Sequence, residues 1–453
     1  MKTRFLLSAM LLCSVMGSYG QWTYDYLQQN KGRMGAAVLG QKVYFAGGSN
    51  SSNQPLSAIE VYDAKLKAWD TGLDLQLSVP RMHPACVAAG AKVFFAGGAN
   101  MLNGTMYYEV DIWDTVTKTW SIDELTIPRV FLSAVTNGEK VLFAGGNNLQ
   151  GSSYDVVEIY DMNTDLWEIT SLSQSRSGMG AAVLGDLAFF AGGYCDETSS
   201  VTDRIDIYHF STGTWTTASL SQARGFLSAV TVRNKVIFAG GTTIDNQPTN
   251  RVDIFDAATG TWDTASLSVA RALFPDPSSA VISNRKACFS GGGHFDLYSH
   301  YWNSAFNVMD IYDDSTGTWS TDSLTHSLLL HAVAGVGNYL IVAGGSAAPA
   351  WSFTNKVEIY FNTDVWAGID KRPEAENSLK VYPNPGLGKI HLEIRDDCRK
   401  SLQANVFDMQ GRLVFTQILQ GRERELNLQL AAGVYLLRVI ADNTLYSEMI
   451  TVQ

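Results

Sequence analysis

Seven times the chain writes an apolar run and closes it with a glycine pair: VYFAGG, VFFAGG, VLFAGG, LAFFAGG, VIFAGG, CFSGGG and LIVAGG. The first glycine of each falls at 47, 97, 145, 192, 240, 291 and 344, so the intervals are 50, 48, 47, 48, 51 and 53. A period near fifty marks a repeat architecture. Four or five apolar residues ending in Gly-Gly predict a buried strand with a sharp exit, because glycine accepts positive φ and leaves room for a neighbouring backbone. After each pair comes an alternating run: IEVYD, VDIWD, VEIYD, IDIYH, VDIFD, MDIYD and VEIYF. Then comes a run centred on Trp69, Trp120, Trp167, Trp215, Trp262, Trp319 or Trp366. Before each glycine-ended run lies one more short strand. Each unit thus predicts four strands, a to d, and the chain reads as all-β.

Polar positions repeat with the apolar ones. Strand a follows Arg33, Arg81, Arg129, Arg176, Arg224 or Arg271, and position 328, where the seventh arginine would stand, is Leu328. Strand c carries an acid in every unit: Glu60, Asp111, Glu158, Asp206, Asp253, Asp310 and Glu358. A carboxylate and an arginine repeated in each unit predict a structural pair rather than a catalytic one, since buried charges need partners. The aspartates that follow the strand c aromatic (Asp63, Asp114, Asp161, Asp256 and Asp313) predict turns.

The glycine pair, the strand c aromatic and the strand d tryptophan recur together at fixed offsets over roughly residues 22–369, and in this they resemble the kelch family. The resemblance implies a seven-bladed kelch-type β-propeller over 21–369, with four-stranded antiparallel blades around a channel. One unit is too small to bury both of its faces, so units must stack. The stretch WTYDYL, from Trp22, reads as an extra outer strand that closes the ring. Trp22 and Trp366 compete for that slot, and both readings stay open.

Composition changes after Trp366. Residues 367–379 are polar and irregular, with the linker proper placed at 370–379. Beyond it, alternating runs around DMQG and AAG predict a small Ig-like β-sandwich over 380–453. VYPNP, FDMQGRLV and AAGVYLLRV, in that order, are similar to the C-terminal sorting domain of type IX secretion substrates. The resemblance implies recognition by the type IX secretion machinery and a secreted or outer-surface location. Residues 1–20, with Lys2 and Arg4 before an apolar core, predict a secretory signal peptide cut before Gln21. No later run is apolar and long enough to predict a transmembrane segment. The formal net charge is −11 and no basic stripe occurs, which argues against nucleic-acid binding. Cys86, Cys195, Cys288 and Cys398 have no CxxC spacing and read as isolated thiols.

No HExxH, GxSxG or phosphate-cradling loop appears, so no catalytic residue, metal or cofactor is assigned. One region breaks the period. The b–c connection of the sixth unit, GGGHFDLYSHYWNSAFN, is longer than its counterparts. It carries Tyr298, His300, Tyr301 and Trp302. Trp302 and Trp351, the latter in the b–c connection of the seventh unit, are the two tryptophans the repeat does not require. In an antiparallel blade the b–c and d–a connections emerge on one face, and functional residues concentrate on loops held by rigid scaffolds. Tyr298, His300, Tyr301, Trp302 and Trp351 are therefore the candidate ligand-binding residues, with a glycan or a protein as ligand. Two alternatives stand beside this: a self-packed lid, and a carbohydrate-active enzyme, copper oxidase-like or sugar isomerase-like.

Overall fold

The computed structural model describes residues 21–273, 279–283, 285–297, 302–347, 352–362, 379–384, 389–394, 402–408, 413–419, 425–441 and 444–452. The expected signal peptide, Trp366, Cys398 and nearly all of the expected linker lie outside them. The chain divides into two units, one up to Val365 and one from Trp366. No helix occurs among the described residues, and so none that could cross a membrane.

The first unit is a ring of seven antiparallel sheets. Blade three is typical: Ser133–Thr136, Lys140–Ala144, Val156–Asp161 and Leu166–Ser171 lie side by side in chain order, from the axis outwards. The innermost strands of successive blades touch in sequence, and that of blade seven (Ala332–Val336) touches that of blade one (Gly35–Leu39). Inner strands converge on the axis, so their facing positions are small. A Cβ on Gly35 would strike Cys86 and Pro84 of blade two, and one on Gly335 would strike Val281 of blade six.

The core lies between blades rather than within them. Leu142, Val157 and Ile159 of blade three pack against Met179, Phe190 and Tyr208 of blade four. The strand c aromatic and the strand d tryptophan meet in every blade, with ring centroids 5.0–5.3 Å apart. Some tryptophans also reach the preceding blade: Trp167 Nε1 donates to Asp123 at 2.6 Å and Trp215 Nε1 to Thr170 at 3.1 Å. The glycine pair joins each blade to the next. Gly97 and Gly98 have φ of 60° and 99°. The N–H of Gly98 donates to the carbonyl of Arg129 at 2.9 Å, and a Cβ on Gly97 would come within 2.6 Å of that same oxygen.

Blade seven closes the ring with both ends of the unit. Its outermost strand is Gln21–Tyr26, antiparallel to Lys356–Phe361, with Trp22 opposite Tyr360. Trp22 thus takes the slot for which it competed with Trp366.

In the second unit the described strands form two sheets. One pairs Leu379–Tyr382, Lys389–Ile394 and Glu425–Asn427; the other pairs Leu413–Leu419, Leu402–Phe407, Gly433–Ala441 and Thr444–Val452. Alternate residues from both, including Ile390, Leu392, Val406, Leu437 and Ile450, share one core.

Candidate functional site

The repeated acids are held in the interior. The carboxylates of Asp111, Glu158, Asp206, Asp253 and Asp310 pair with Arg81, Arg129, Arg176, Arg224 and Arg271 of the same blade at 2.6–2.8 Å. All five arginines are fully buried. Burial is the largest influence on Arg129, Arg176, Arg224 and Arg271 and lowers each guanidinium pKa, while the paired acid works in the opposite direction. Each acid also accepts a backbone N–H from three residues before the cation, as Asp111 does from Ser78 and Asp253 from Ser221. Each of these carboxylates is thus held in the interior by its own blade, through one arginine and one backbone N–H.

Blade one corrects the sequence expectation. Glu60 pairs with Lys31, not Arg33, at 2.8 Å. Lys31 stands sixteen residues before Gly47, the same offset as the arginines of blades two to five, so the spacing already carried the signal. Arg33 lies two residues further on, in the left-handed region at φ 59°, on the rim. Its guanidinium donates to Asn53 at 2.7 Å and to Ser49 at 3.1 Å, and sits 5.3 Å from the ring centre of Phe353. Blade seven has Leu328 at the cation position, as expected, and Glu358 accepts from the N–H and hydroxyl of Thr325 instead.

The b–c and d–a connections share one face in every blade. The residue after each glycine pair bridges to a residue just past the cation position, as in Met82 with Ala99, Val130 with Asn147 and Gly225 with Thr242. The d–a turns are also joined around the axis. Arg33 N donates to Leu330 O, His83 N to Arg33 O, Phe226 N to Gly178 O and Leu273 N to Phe226 O, at 2.9–3.0 Å. These turns form the inner margin of the candidate rim.

At blades six and seven the rim becomes a sheet. Strands Trp302–Asp313 and Thr318–Leu329 are twelve residues each, twice the length of the corresponding strands of blade three. Their extended ends pair at Phe306 and Leu328. On one side Gly293–Phe295 pairs with Trp302–Ala305; on the other, Ser346–Ala347 pairs with Leu328–Leu329 and then with Ser352–Phe353. One continuous layer therefore joins the b–c connections of the two blades. The blade six stem is anchored firmly. Phe295 packs on Phe226 at 4.6 Å, His294 Nε2 meets Asn246 O at 2.9 Å, and Leu297 N donates to Asn246 Oδ1 at 2.7 Å. Phe295 and Leu297 join Tyr194, Val201 and Phe226 in a buried apolar cluster.

Of the five candidate ligand residues, Trp302 begins the long strand opposite Phe295. Tyr298, His300, Tyr301 and Trp351 lie outside the described residues. Both connections that carry them start and end on the rim sheet. Among the described residues no three of His, Cys, Asp and Glu come together to hold a metal. His331 is a packing residue: fully buried, its Nε2 3.2 Å from the Ser290 hydroxyl, its pKa pushed down to about 4 by burial. The thiols of Cys195 and Cys288 are free, and burial pushes Cys288 up to about 12.

Comparison with known families agrees with this geometry. Residues 131–345 match the KLHDC2/KLHL20/DRC7 Kelch-repeats domain, and residues 31–72 match the Kelch motif. Residues 380–453 match the secretion system C-terminal sorting domain. No curated protein matches the chain as a relative. The sorting domain implies interaction with the type IX secretion machinery and places the protein among those secreted or carried to the outer surface. The chain thus contains kelch repeats, folded as a β-propeller, and a secretion system C-terminal sorting domain.

Proposed function

We propose that the propeller, taken as residues 21–369, is a delivered binding module for a glycan or a protein partner, and that 370–379 link it to the sorting domain at 380–453. Its ligand meets the rim of blades six and seven through Tyr298, His300, Tyr301, Trp302 and Trp351. The supporting observation is the single rim sheet that joins the two irregular connections on an anchored stem. A rigid base is what a binding loop needs, because each side chain ordered only on binding subtracts from affinity. Tyrosine and tryptophan suit such a base, since they combine a large apolar face with a polar tip.

A glycan array and a surface-protein capture, each run with wild type and with Trp302→Ala and Trp351→Ala, test this. The expected result is about tenfold weaker binding for each variant, one decade being ~1.4 kcal/mol, with an unchanged melting temperature. A lowered melting temperature with affinity intact would instead identify the connection as a packed lid.

A further inference from the structure

We propose a second ligand surface, separate from the rim residues above, on the outer seam between blades six and seven: a sugar-binding platform built from Tyr24, Tyr26, Lys356, Thr325 and His326. The outermost strand of blade seven, Gln21–Tyr26, places Trp22, Tyr24 and Tyr26 on the same face by alternation. Trp22 is used by the fold, stacked edge-on with Tyr360 and donating to Asp322 of blade six at 3.3 Å. The other two rings are not used in this way. Tyr24 is 49% exposed and Tyr26 59% exposed. In the other blades, the positions two after the strand d tryptophan hold threonine or isoleucine, and those four after it hold serine, glutamate or leucine. The tyrosines are therefore particular to blade seven and are not demanded by the repeat.

Polar groups converge beside these rings. The Lys356 ammonium sits 4.0 Å from the ring centre of Tyr24 and donates to the Thr325 hydroxyl at 2.6 Å. That hydroxyl also contacts His326 Nδ1 at 2.8 Å and the buried carboxylate of Glu358 at 2.7 Å. Thr325 and His326 are themselves exposed. Thr325 holds Glu358 as Thr126 holds Glu158 in blade three. What differs in blade seven is Leu328 at the cation position and Lys356 donating to the threonine hydroxyl from the surface.

Two tyrosine rings on one strand face, roughly 7 Å apart along the chain, beside an ammonium, a hydroxyl and an imidazole, fit one chemistry. A sugar chain lays the C–H face of successive rings on aromatic faces and directs its hydroxyls at polar neighbours. Lys356 and Glu358 offset each other in charge, so the surface suits a neutral sugar chain rather than an acidic one. The occupant is a neutral polysaccharide.

Affinity electrophoresis of the full-length chain, in gels containing hydroxyethyl cellulose, xylan or pullulan, tests the proposal. At least one of these polymers is expected to retard the wild type. The double variant Tyr24→Ala/Tyr26→Ala should bind that polymer about tenfold more weakly, whereas Tyr24→Phe/Tyr26→Phe keeps most of the retardation and Ile169→Ala, an exposed position on the outer strand of blade three, keeps all of it. If the double alanine variant fails to fold, Tyr26→Ala alone makes the same test at the more exposed ring. Retardation of the wild type by none of the three polymers overturns the proposal. So does a folded alanine variant that migrates like the wild type, or a loss seen equally in Ile169→Ala.

Discussion

At the scale of single residues, the repeated cation and acid form the framework on which each d–a turn is hung. The pair is buried on both sides, so removing one partner leaves a charge without compensation, at a cost of about 3–5 kcal/mol. Arg176→Ala should show that loss in chemical denaturation, since Asp206 stays buried. Blade one offers a sharper contrast. Lys31→Ala should cost about as much, while Arg33→Ala, whose half-buried guanidinium donates to the exposed Asn53 amide and to the Ser49 hydroxyl, should cost under ~1 kcal/mol. Equal losses would mean that the lysine has not taken the arginine's place. His331 predicts a pH dependence. The folded ring stays neutral to about 4, whereas the unfolded ring takes a proton near 6.5. Between those values the unfolded state binds more protons, so stability falls as pH drops from about 6.5 to about 4. His331→Leu should flatten the fall of melting temperature across that window, and an unchanged slope would assign it to the carboxylates.

At the scale of elements, ring closure is the decisive event. The outer strand of blade seven comes from the start of the unit and its other three strands from the end, so no contiguous segment contains a whole seventh blade. Deleting residues 21–30 removes the full pairing with Lys356–Phe361 and the Trp22–Tyr360 contact. The melting temperature should then fall, by roughly 2–4 °C for each kcal/mol lost. A variant that melts with the wild type would show that the ring holds together without this strand. Blade six departs from the repeat for a related reason. Its long strands share one sheet with Ser346–Ala347 and Ser352–Phe353 of blade seven, so strands of two blades become a single layer.

At the scale of the whole molecule, the two units have separable roles: the propeller is the part delivered and the C-terminal unit directs delivery. Removing residues 380–453 should therefore abolish appearance of the propeller in the medium or on the outer surface, while a fractionated cell retains it. Immunoblots of medium, surface-exposed and internal fractions measure this. Export undiminished by the deletion would mean that the sorting domain is not what directs this chain outward.

The sequence by itself determined the repeat, the all-β class and the four strands per unit, because each rests on local periodicity; the sorting domain was legible through its resemblance to a known family in three ordered motifs. Strand alternation, glycine pairs and tryptophan spacing are consequences of backbone geometry and need no distant partner to be read. The same spacing also contained Lys31, which chemical similarity to the neighbouring Arg33 obscured. Only the tertiary structure decided which tryptophan closes the ring, since Trp22 and Trp366 have equal local credentials and the choice depends on pairing across more than three hundred residues. It alone brought the connections of blades six and seven into one rim sheet. It alone left Tyr24 and Tyr26 exposed beside Lys356, because exposure on an outermost strand depends on what the neighbouring blade covers, which no local pattern records.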